Sequence, residues 1–232
     1  MNKEDEFPYG HYNYCDYRCE TCEFIAKCPV YQEELKAEQE GKDWVEVLQD
    51  NFKKTRDMLQ TFMDENDIEI SPEDEDSEFA NKYRKIKEEV EKKPAHRLAY
   101  DYMSKAMDFL KTYPAASLVL SGLEEARADL ESYSTLIPVK LHRTLMSLYE
   151  FVDDEDDFHL LDAYLTSQVV YKALHKSLLA VEQIRNVWTW TDVQEELDEL
   201  ESLLLEIRIE FKREFPFEIL LSLINWFKNS HK

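Results

Sequence analysis

Glycine is almost missing from this 232-residue chain: Gly10, Gly41 and Gly122 are its only three. Phosphate-cradling loops and dinucleotide fingerprints need glycines a few residues apart, where the backbone must approach a ligand closely. None of the three has a companion at that spacing, so the usual nucleotide-binding folds are excluded. Basic residues are scarce too, with 28 Lys and Arg against 50 Asp and Glu and a net charge of −22. Such a surface repels phosphate backbones and anionic lipid, which excludes a nucleic-acid binder and fits solubility or a basic protein partner. No apolar run approaches the roughly 18 residues that span a bilayer, so no membrane segment is expected. The richest stretch, 215–227, is broken by Pro216, Glu218 and Asn225. Residues Met1 to Pro8 carry neither the basic nor the apolar region of a secretory signal. The expectation is a cytoplasmic protein, in whose reducing surroundings thiols bind metal in preference to forming disulfides.

Cysteine is absent from everything beyond residue 28. Cys15, Cys19, Cys22 and Cys28 follow the pattern C-x3-C-x2-C-x5-C, and Pro29 comes next. Cysteines serving as small buried hydrophobes would be scattered, so four in one short segment read as a site. Four thiolates complete either a tetrahedral zinc ion or all four irons of a [4Fe–4S] cube. Structural zinc sites take their sulfurs from two close pairs with a longer gap between them. Here three cysteines fall within eight residues and the fourth follows six later, and the Cys19–Cys22 pair lacks a knuckle glycine. The spacing favours a [4Fe–4S] cluster on Cys15, Cys19, Cys22 and Cys28, with Zn2+ as the alternative and two disulfides as a third reading. His11 is the nearby imidazole, which neither four-thiolate site requires.

Two local resemblances attach to these residues. Cys22-x5-Cys28-Pro29 resembles the Cys-Pro ending of bacterial ferredoxin cluster motifs, with different intervals. Cys15-x3-Cys19-x2-Cys22 is similar to the cluster triplet of radical S-adenosylmethionine enzymes. That second resemblance implies an α/β barrel, a glycine-rich strand and one iron left open, whereas this chain reads as helical and supplies Cys28 as a fourth thiolate. A cube with four protein ligands offers no iron to a substrate. One-electron transfer, redox sensing or structural support remain.

Beyond residue 40 the apolar spacing is helical and no run alternates long enough for a strand. The predicted class is all-α, a bundle of about seven helices over 41–232 behind an irregular cysteine-rich segment over 1–40. Val45, Leu48, Phe52, Leu59 and Phe62 predict a helix over 43–64, and a charged helix over 78–93 ends at Pro94. Between them, 64–78 holds nine carboxylates and no base, and reads as a solvated loop. Further helices are expected from Leu98 to Tyr113, over 115–133, from Pro138 onward, over 158–187, over 191–215 and over 217–228. Leu161, Leu165, Leu174, Leu178 and Val181 are expected to line the buried side of 158–187. Val193, Leu197, Leu200, Leu204, Ile207 and Phe211 form a heptad seam, open either to packing within the bundle or to a homodimer through the Val193–Phe211 face.

No catalytic constellation emerges. A ferritin-like di-iron site needs two Glu-x-x-His pairs, and only His159 has a carboxylate three residues before it, Asp156, which reads as a local ion pair. Ser121-Gly122 lacks a nucleophile elbow, and Trp188 and Trp190 read as a packing hinge. The expected function is electron transfer or redox sensing through a protein partner, with a zinc-stabilised interaction adaptor as the rival.

Overall fold

The computed structural model describes residues 13–67, 78–113, 122–154 and 156–215. Among them are seven α-helices and no strand: α1 (Pro29–Gln39), α2 (Trp44–Glu65), α3 (Glu78–Glu91), α4 (Pro94–Thr112), α5 (Glu124–Asp154), α6 (Asp157–Val187) and α7 (Thr191–Glu214). The all-α class stands. The helix expected over 217–228, the centre of the acidic loop and His11 lie outside the described residues. No described helix is long and apolar enough to cross a membrane. The chain divides into two compact units, Met1–Lys82 and Tyr83–Lys232.

The second unit owns the hydrophobic core. Its largest contact joins α5 to α6, and α4 packs on both α5 and α7. The heptad seam of α7 is spent here: Val193, Leu197, Leu200, Leu204, Ile207 and Phe211 are 0–2% exposed. A seam filled by the chain's own helices is not the surface of a homodimer, which corrects that expectation for the Val193–Phe211 face.

The two helices expected over 115–133 and from Pro138 are, as far as described, a single helix, α5, with Pro138 inside it. Proline there removes the N–H that would bond the Ser134 carbonyl, at about 3 kcal/mol. Ile137, Leu141 and Leu145 around it are fully buried, each worth roughly 1.5–3 kcal/mol. Packing therefore carries the helix through the proline. Within the acidic run over 153–157, Asp156 separates α5 from α6, its side chain accepting the Phe158 N–H at 2.9 Å as the N-cap of α6. Leu161 is exposed, contrary to expectation, and Leu165 and Leu178 are half-buried. Leu174 and Val181 are buried as expected, and the buried side of α6 also takes the small residues Ala163, Ser167, Ala173, Ser177 and Ala180. Their size admits the neighbouring helix closely, which a search for large apolar residues overlooks.

The first unit is organised differently. Among the described side chains of residues 13–67 no apolar one is buried; Arg18 alone is. Local backbone chemistry shapes it. Gly41, at φ +69°, ends α1 in a Schellman motif, with Gly41 N–H on the Glu38 carbonyl and Lys42 N–H on the Ala37 carbonyl, both at 3.0 Å. Asp43 then opens α2 in a capping box: its side chain accepts from Val45 and Glu46 N–H at 2.9 Å, and Glu46 accepts from Asp43 N–H at 3.0 Å.

Candidate metal centre

Cys19, Cys22 and Cys28 lie along two 3-10 turns that lead into α1, Cys19–Thr21 and Ile25–Lys27, and Cys15 lies in a bend four residues before the first. Each turn ends on a cysteine. Cys22 N–H bonds the Cys19 carbonyl at 3.1 Å, and Cys28 N–H bonds the Ile25 carbonyl at 3.4 Å. Both cysteines then take extended backbone, at φ −82°, ψ 125° and φ −72°, ψ 117°. The pair is thus structurally repeated, one turn and one thiol each. The Cys19–Cys22 turn closes without a glycine because it is right-handed. The left-handed step falls instead at Tyr17, φ +57°, midway between Cys15 and Cys19.

Cys28 is also the N-cap of α1, with Pro29 at the first helical position and Gln32 N–H on the Cys28 carbonyl at 3.0 Å. The cap has no side-chain hydrogen bond, so the Cys28 sulfur is not occupied as a capping acceptor. A thiolate placed there gains from the positive end of the helix dipole. Gln32 Nε2 reaches back to the Ala26 carbonyl at 3.4 Å and ties α1 to the second turn.

All four thiols are half-buried. Burial pushes the Cys19 thiol above its ordinary pKa, and the charges of Glu34, Cys15, Cys28 and Cys22 push in the same direction. The four sulfurs therefore share one electrostatic neighbourhood. Among the described residues, however, no three His, Cys, Asp or Glu side chains are arranged to hold a metal ion. Four thiolates in one small volume repel one another, so bringing them together calls for a cation. A cation reverses that repulsion and releases the protons. The donor set fits a four-thiolate metal or cluster, and Cys15, Cys19, Cys22 and Cys28 would hold it. Arg18, between Cys15 and Cys19 in the sequence, is buried and paired with Glu20. Sequence spacing found the thiols but not Arg18, since nothing in its neighbours announces burial.

The remaining titratable clusters lie in the second unit. His142 Nδ1 and His96 Nε2 meet at 3.2 Å between α5 and α4, and Tyr100 lies against the His96 ring at 4.8 Å. Burial lowers the pKa of both imidazoles; His142 lowers His96 further, Lys87 opposes a charge on His142, and Glu91 favours the charged form of each. Asp162 is buried and takes Arg143 Nε at 3.1 Å and Ser147 Oγ at 2.6 Å. His159 does not pair with Asp156, which is engaged as a cap; its Nδ1 sits 3.3 Å from Glu150 Oε2 across the α5–α6 turn. His175 is exposed. Trp188 is buried, while Trp190 stacks on it at 5.8 Å and stays largely in solvent.

Fold and segment together define an all-α protein with a four-thiol segment preceding its helices. The chain matches no known protein-family model, no curated protein and no solved structure.

Proposed function

We propose that this protein is a [4Fe–4S] protein of the cytoplasm that passes or senses single electrons through a protein partner, with Cys15, Cys19, Cys22 and Cys28 as the cluster ligands. One observation carries the reading. Among the described residues of the first unit, Cys19 feels the charges of Cys15, Cys22 and Cys28, and no apolar side chain is buried. A small segment whose described residues bury no apolar side chain gains a defined shape from a cross-link, and four thiols can supply a metal staple. When bound, a cube with four protein thiolates supplies reversible one-electron chemistry and no substrate site. The chain's own residues do the rest: the α1 N-terminus offsets negative charge at Cys28, and the acidic surface selects a basic partner.

The rival reading, a zinc-stabilised adaptor without redox activity, rests on the same absence of a core, because one Zn2+ staples four thiolates equally well. Anaerobic purification followed by optical spectroscopy and metal analysis separates the two. The cluster reading expects broad absorbance near ~400 nm, about four irons per chain and reversible bleaching on reduction. A colourless protein with about one zinc per chain establishes the adaptor instead. A chain holding neither metal, with reactive thiols, overturns both.

A further inference from the structure

Helix α2 carries its apolar side chains in the open. Val45, Leu48, Phe52, Met58, Leu59 and Phe62 are 39–67% exposed. An amphipathic helix normally hides its apolar stripe, and scattered exposed residues would need no account. These are not scattered. Val45, Leu48, Phe52, Thr55, Leu59 and Phe62 alternate steps of three and four, the a and d positions of successive heptads. The chain has two such seams; α7 fills its own within the bundle, and α2 leaves its own uncovered.

We propose that α2 is a dimerisation helix, pairing side by side with α2 of a second copy of this chain. Area favours that occupant. With aromatic side chains offering roughly 150–250 Å2 each, the stripe presents on the order of 550 Å2 of apolar surface. Two copies would bury on the order of 1,100 Å2, just past the roughly 1,000 Å2 that a specific interface requires. Charge does not oppose it, despite the net −22 of the chain. With Val45 at position a, the positions flanking the seam are Gln49, Arg56 and Met63 on one side and Asn51, Met58 and Glu65 on the other. They carry one positive and one negative charge. The other carboxylates, Glu46, Asp50, Asp57 and Asp64, fall at positions b and f, on the outer face of such a pair. A strongly basic or acidic partner would find nothing to match on these flanks, whereas a second copy presents the same near-neutral rim.

Sedimentation equilibrium of the full chain, as isolated and under reductant to prevent cross-linking through cysteine, is the test. The expected species has twice the 27.7 kDa mass of one chain. Phe52→Glu and Leu59→Glu should each weaken association at least ~100-fold, the loss expected for charging a buried apolar contact. Lys53→Glu, at an outer b position, should leave the dimer intact and serves as the control for helix integrity. A wild-type monomer at about 100 μM, with α2 amides either open to exchange or protected within the single chain, overturns the proposal, 100 μM being the scale of a weak specific complex. So does a dimer that neither Phe52→Glu nor Leu59→Glu weakens.

Discussion

Tyr102 is the largest test of how the second unit is held together. It sits on α4 with no exposed surface, and its hydroxyl finds no hydrogen-bond partner; Ser177 Oγ, on α6, is likewise buried without one. Burial drives the Tyr102 pKa upward, opposed weakly by Ser177, so the two hydroxyls are neighbours that fall short of bonding geometry. A buried hydroxyl left unsatisfied costs roughly 1–3 kcal/mol. Tyr102→Phe removes that cost and keeps the ring, so the variant should be more stable by about 1 kcal/mol. In a chain of this size that is roughly 2–4 °C in Tm. Ser177→Ala should also stabilise, by about 1 kcal/mol, because alanine is the better helix former as well. Urea unfolding of both single variants and the double variant closes a thermodynamic cycle. Independent hydroxyls give a coupling within ~0.5 kcal/mol of zero. A loss of stability in Tyr102→Phe, with coupling above ~1 kcal/mol, would show a real Tyr102–Ser177 hydrogen bond and refute the reasoning.

Three further outcomes are expected. Asp162→Ala should destabilise the bundle by about 3 kcal/mol in urea melts, the low end for breaking a buried pair, because Arg143 is 39% exposed and rehydrates. The His96–His142 pair should make stability depend on pH: with folded pKa values below the unfolded one, its contribution is present above the unfolded value and lost as pH falls through the folded values. Urea midpoints should therefore drop as pH falls below the ordinary imidazole value of about 6.5 in the wild type, and the slope should flatten in His96→Gln; an unchanged slope contradicts the assignment. Cys28→Ser should lower bound metal, as iron converting to a smaller cluster or as weakened zinc, read by metal analysis and electron paramagnetic resonance. Unchanged metal content and stability removes Cys28 from the ligand set.

Helix positions were legible from apolar spacing and prolines. Val45, Leu48, Phe52, Leu59 and Phe62 announce α2 and Pro94 marks the break between α3 and α4, whereas the caps at Asp43 and Asp156 show only in the structure. Pro138 misled because a proline is a strong local signal and the burial that overrides it, at Ile137 and Leu141, is tertiary. The inward side of α6 was legible at Leu174 and Val181 but not at Ala163, Ala173 and Ser177, buried for their small size, which apolar periodicity does not weigh. The four thiols were fully visible as a cluster of sulfur. The burial of Arg18, the approach of Glu34 to Cys19 and the meeting of His96 with His142 depend on turns and helix crossings that residue spacing does not encode.

The central claim is that metal staples the cysteine segment, whose described residues bury no apolar side chain. Hydrogen exchange of the chain as isolated and after metal removal under reductant tests it most directly. The amides of Cys22, Cys28 and Gln32, bonded across the cysteine turns, should lose protection when metal leaves, while α4 to α7 exchange as before. Equal protection of those amides with and without metal would contradict the account.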